Sequence, residues 1–133
     1  MVIVSAKSVR WILITCAAYF FVCGLSALYA PWLWLWSAGL PTAVSTELGL
    51  AFGVAGTYLC AFAVGCLIAS LDPHRHRGLI LTLFVGNLLD FITTLQAVVV
   101  GSLPMVQGSL FIVVTVLWST ALLVAWLSSA HSQ

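Results

Sequence analysis

Charge is nearly missing from this sequence, with four Lys and Arg and three Asp and Glu among 133 residues, 5% of the chain. Soluble globular domains carry roughly 25% charged residues, so a water-facing surface cannot be built from this composition. Four basic residues also leave no electrostatic footprint for nucleic acid. No cluster of His, Cys and acids has metal-ligand spacing, and no nucleophile stands with a base or a glycine-rich phosphate cradle. An enzyme acting alone is therefore not expected.

What the chain has is apolar length: 63% of residues are hydrophobic and the mean hydropathy is +1.21. A helix crosses a hydrocarbon core of about 30 Å with about 20 apolar residues. Four such runs predict an all-α integral membrane protein of four transmembrane helices, with spans over residues 10–30, 46–70, 78–101 and 107–129. Pro31 stops the first, Asp72-Pro73 the second, and a short connection around Pro104 joins the last two. Residues 31–45 are left as an outer interfacial segment, and the whole chain is one membrane domain.

Basic residues near span ends stay on the cytoplasmic side. Lys7 and Arg10 precede the first span, and Arg75 and Arg77 lie between the second and third, so an antiparallel bundle with both termini cytoplasmic is predicted. The first apolar run is longer than a signal-peptide core and is expected to be a retained anchor. Cys16, Cys23, Cys60 and Cys66 lie within the first two spans without CxxC spacing, as small apolar packing residues do. His74 and His76 do not complete a metal site, and with His131 they lie at the cytoplasmic edge, which excludes paired axial haem ligation within the membrane.

The segment "APWLWLWSAGLP" places Trp32, Trp34 and Trp36 at alternate positions. Indole rings favour the headgroup level, so an aromatic belt at the outer interface is expected. A docking surface or a lid over a lipid-facing groove is the sharper reading. In the second span Gly49, Gly53, Ala61, Gly65 and Ala69 form a small-residue stripe on which another helix backbone can lie close. Its partner is either the first span, through Gly24 and Ala27, or a helix of another subunit. In "LDPHRHRG", Asp72, Arg75 and Arg77 form a cytoplasmic anchor, the arginines lying among headgroups and interacting with Asp72.

"GNLLDFITTLQ", residues 86–96, is the polar exception within a span. Asp90 lies thirteen residues beyond Arg77, roughly 19 Å along a helix and near the membrane centre. No Lys or Arg reaches that depth. An ionised carboxylate there costs at least about a few kcal/mol, so it holds a proton, faces water or meets a partner chain; the neutral acid is the expected form. Asn87, Asp90 and Thr94 share a helix face, flanked by Gly86 and Thr93. Cys23, Thr57, Tyr58, Thr115 and Ser119 lie at similar depth on the other spans. Asp90 is thus either a clamp hydrogen-bonded to Tyr58, Ser119 or Asn87, or part of a proton or ligand site with Asn87, Thr94 and Tyr58.

The glycine-rich second span, the loop "ASLDPHRHRG", the acid deep in the third span and the glycine before "SLP" together resemble the BphX-like family of small bacterial four-helix membrane proteins, over residues 49–103. The resemblance implies a bacterial inner membrane location and family-like positions at Asp72, Arg75, Arg77 and Asp90, without a catalytic role. That family has no established activity, although some members are encoded beside aromatic-compound degradation genes. Asn87 stands where the family pattern leads one to expect a second acid, which weakens a carried-over charge pair. Small multidrug transporters also have four spans, but their essential glutamate lies in the first, where this chain has no acid.

The sequence is thus read as a non-catalytic accessory subunit of a larger membrane complex, in contact with membrane lipid and other subunits and able to hold lipid, quinone or pigment. The alternative is a small homo-oligomeric proton-coupled transporter using Asp90.

Overall fold

The computed structural model describes residues 4–37, 39, 41–101, 103 and 105–130, with the side chains of residues 106 and 107 left out. Its elements are α1 (Ala6–Tyr29), α2 (Pro31–Ser37), α3 (Thr46–Leu71), α4 (Arg77–Val99) and α5 (Met105–Ser128). All are helical, and α1, α3, α4 and α5 are each long and apolar enough to cross a membrane. The chain is an integral membrane four-helix bundle. Pro104 and His131 lie outside the described residues, as does the side chain of Gln107.

Local chemistry fixes the helix ends. Ser5 caps α1 by accepting from the Ser8 amide at 3.2 Å, so the helix begins four residues before the expected span. Ser45 does the same for α3 through the Leu48 amide at 3.2 Å. Pro31 both terminates α1 and opens α2, because its fixed φ suits a first helical position. The segment expected at the outer interface, residues 31–45, therefore begins with a two-turn helix. The third span closes at Val99 rather than residue 101, because Gly101 adopts φ +77° and its amide turns back to the Val98 carbonyl.

Exposed hydroxyls along the spans bond to their own helix. Thr15 donates to Trp11 O, Thr57 to Gly53 O, Thr82 to Gly78 O and Thr120 to Val116 O, all within 3.0 Å. Each polar group is thus satisfied before it meets lipid. Apolar residues such as Trp11, Val22, Leu50 and Leu117 face outward, as the bilayer requires.

The bundle consists of two close pairs, α1 with α3 and α4 with α5, joined by looser contacts. At the α1–α3 crossing the backbones nearly touch: a Cβ built on Gly24 would stand 2.9 Å from the Gly56 carbonyl oxygen and from the Cys60 amide nitrogen. Only glycine admits that approach. Of the small-residue stripe read from sequence, Ala69 is buried and Gly65 lies against Leu83, whereas Gly53 has nothing within 4 Å of a built Cβ and Ala61 is exposed. Gly49 would meet only Val44. Gly56 makes the close contact with α1 instead, and Ala63 and Ser70, at seven-residue steps from it, are also buried. The division along the stripe has a geometric cause: a four-residue step overshoots one helical turn by roughly 40°, so a period-four stripe winds around α3, while a period of seven stays on one face.

The packed core lies towards the end bearing the basic residues. Leu13, Cys16 and Ala17 of α1, Ala63 and Cys66 of α3, Ile80 and Leu83 of α4, and Leu122 and Ala125 of α5 meet there. That end is also tied together by polar contacts. The Val4 amide donates to Ser128 Oγ at 3.1 Å, His74 Nδ1 donates to the Ser129 carbonyl at 2.7 Å, and the Arg77 guanidinium lies 4.7 Å from the Trp126 ring centroid. The start of α1 and the close of α5 accordingly lie at the same end of the bundle.

Candidate functional site

Above the core, towards α2, the pairs separate around a hollow of about 320 Å³. Its floor is the Phe20–Phe62 ring pair, with centroids 4.6 Å apart. Tyr19 and Cys23 line it from α1, Tyr58 and Leu59 from α3, and Phe111 from α5. α4 contributes Gly86, Asn87, Asp90 and Thr94. A built Cβ on Gly86 would meet the Tyr58 hydroxyl at 2.8 Å, so the missing side chain makes room for the phenol. Trp34 of α2 lies across the outer end. Its indole N–H donates to Ser26 Oγ at 3.0 Å, and its ring stacks on Phe111 at 5.9 Å with a 9° interplanar angle. On the far side of this stack is a shallower hollow of about 250 Å³ lined by Leu33, Ser37 and Leu110.

The sequence-derived residues Asp90, Asn87, Thr94 and Tyr58 therefore all line one hollow, the first three from α4 and Tyr58 from α3. Their roles divide. Asn87 is buried and spends its amide on α5, donating to the Thr115 carbonyl at 2.9 Å and to Ser119 Oγ at 2.8 Å. The clamp between helices is thus Asn87, not Asp90, and it occupies the Ser119 hydroxyl that Asp90 was expected to use. Among the described residues none hydrogen-bonds the Asp90 carboxyl group, which is accessible. Thr93 bonds its own helix through the Asp90 backbone carbonyl at 2.9 Å, and Thr57 turns outward to Gly53.

The three tryptophans also divide. Trp34 faces in, while Trp32 and Trp36 are 49% and 72% exposed. Aromatic lining from α1 and α5 was not read from the sequence; Tyr19 and Phe20, one turn from Cys23 on α1, were the available signal. At the opposite end, Asp72 accepts from the Arg75 backbone amide at 3.2 Å rather than from the Arg77 guanidinium, which is over Trp126. The Arg75 amide, assisted by His74 and His76, holds the exposed Asp72 carboxyl below the usual carboxylate range. Arg77 Nε is buried without a partner among the described residues.

Chemically, the hollow offers aromatic faces, phenol and thiol groups and one carboxylate. It can hold an amphipathic molecule and orient its polar end. No protein-family model, curated protein or solved structure matches this chain.

Proposed function

We propose that this protein is a non-catalytic subunit of a bacterial inner-membrane complex that holds a small amphipathic molecule of lipid, quinone or pigment size. The observation that carries this reading is the hollow with Asp90 in its wall. A bundle serving only as a spacer gains nothing from an unfilled interior, because lost packing contacts cost stability. The open space at Gly53 and the exposure of Ala61 leave small residues of α3 free for neighbouring subunits. The BphX-like resemblance is compatible with this assignment and adds no catalytic residue.

Extraction in mild detergent followed by native mass spectrometry tests the reading. The protein is expected to travel with larger subunits and to carry a non-covalent small molecule, and Gly86→Leu, which fills the hollow, is expected to lose that molecule. Isolation as a lone homodimer with an empty hollow would sink the proposal.

The accessible Asp90 carboxyl supports a second reading, proton-coupled transport by a homo-oligomer. In that case Asp90→Asn abolishes proton-driven uptake into vesicles while the protein remains folded. Undiminished uptake by the variant would end it.

A further inference from the structure

Resting on the ligand-holding reading, we infer that the molecule in the hollow carries a positive charge: an aromatic or lipid-like ammonium compound rather than a neutral quinone. The hollow contains one carboxylate and no cation. Lys7, Arg10, Arg75 and Arg77 are all at the basic end of the bundle, and none lines the cavity. Asn87, the nearest amide on the same helix face, is committed to Thr115 and Ser119. Asp90 therefore lacks an internal counter-charge at a depth where water is scarce. Without a ligand Asp90 holds its proton; an entering ammonium group supplies the counter-charge, the proton leaves to water, and carboxylate and ligand neutralise each other.

The walls favour the same class. Tyr19, Tyr58, Phe62, Trp34 and Phe111 present aromatic groups around the space beside Asp90. Aromatic faces attract quaternary and other weakly hydrated cations through the ring quadrupole, most strongly where water is excluded. A neutral quinone accepts hydrogen bonds from a phenol such as Tyr58 in the lining but leaves Asp90 without a counter-charge. An anion would meet Asp90 with like charge. A hydrophobic molecule with a single ammonium end matches both features: its ring fills the aromatic part and its nitrogen lies at Asp90.

The test uses two probes of nearly equal shape, benzyltrimethylammonium and its uncharged carbon analogue neopentylbenzene. Binding to the full chain in non-ionic detergent is followed by saturation-transfer NMR and calorimetry. The cation is expected to bind at least about tenfold more tightly than the neutral analogue, the effect of one desolvated cation–aromatic site. Asp90→Asn is expected to remove that preference while leaving neopentylbenzene binding unchanged, and Asp90→Glu to restore it. Retained binding of the neutral probe by Asp90→Asn also shows that the variant is folded. Equal affinity for the two probes, or full cation binding by Asp90→Asn, overturns the charge assignment but leaves a ligand-holding cavity. Binding of neither probe overturns both.

Discussion

The end of the bundle that carries the basic residues is filled, whereas the end beneath the tryptophan-rich helix is hollow, although the same four helices run through both. In the filled half Leu13, Cys66, Ile80 and Leu122, one from each of the four helices, are wholly buried and meet in one core. In the other half α1 and α3 press together at Gly24 and Gly56 while α4 and α5 stand away from them. In lipid there is no hydrophobic drive between helices, so stability must come from dispersion contacts and a few hydrogen bonds. Concentrating those contacts in one half lets the other remain open for binding.

Truncation in the filled half is the most severe test of that contrast. Leu13→Ala is expected to lower the unfolding free energy by about 2–5 kcal/mol, as cavity formation in a tight core does, measured by unfolding in mixed micelles of dodecylmaltoside and SDS. Leu59→Ala, at the wall of the hollow, should cost clearly less, because its contacts are already incomplete. Equal losses would break the distinction between the two halves.

Gly24→Leu comes next, with an expected loss of about 1–3 kcal/mol from forcing the two backbones apart. Gly53→Leu is its control and should stay within about 0.5 kcal/mol, since the site has open space around it. A reversed order would restore the period-four stripe as the packing face.

Asn87→Leu should then cost about 1 kcal/mol by removing the bonds to α5, whereas Asp90→Asn should leave unfolding nearly unchanged. Similar losses for the two variants would mean that Asp90, too, joins helices. This pair sharpens the contrast within α4, where one polar residue is spent on the fold and its neighbour, one turn away, is left free.

The smallest effect concerns pH at the filled end. Because the folded Asp72 carboxyl lies below its ordinary pKa, its contribution is present above the unfolded value of about 3.9 and is lost as pH falls through the folded one. Asp72→Asn should flatten the acid limb of thermal stability slightly, with no change near neutral pH. An unaltered acid limb would show that the Arg75 amide contact contributes nothing.

Several of these features were legible in the sequence because they depend on short-range chemistry. Pro31, Pro73 and the apolar lengths marked the spans to within a few residues, and helical spacing put Asn87, Asp90 and Thr94 on one face. The capping by Ser5 and the helix after Pro31 were also written locally, although apolar length alone did not show them. The partner of each polar group was not legible. Asn87 and Asp90 are both polar, lie close in depth and are separated by three residues, yet one bonds to Ser119 and the other faces a cavity. That difference is set by how α5 approaches α4. The same holds for Gly49 and Gly53, whose spacing suggested a contact with Gly24 that Gly56 makes instead.

By itself, then, the sequence determined that four helices cross a membrane and that one carries an acid near the centre with no cation at its depth. Both follow from counting residues along a helix of fixed rise. Only the tertiary structure decided that the acid faces an aromatic hollow, because a cavity belongs to no single helix. It exists where two helix pairs diverge, and that divergence follows from the close contact of Gly24 with Gly56 on one side and the Asn87 clamp to α5 on the other.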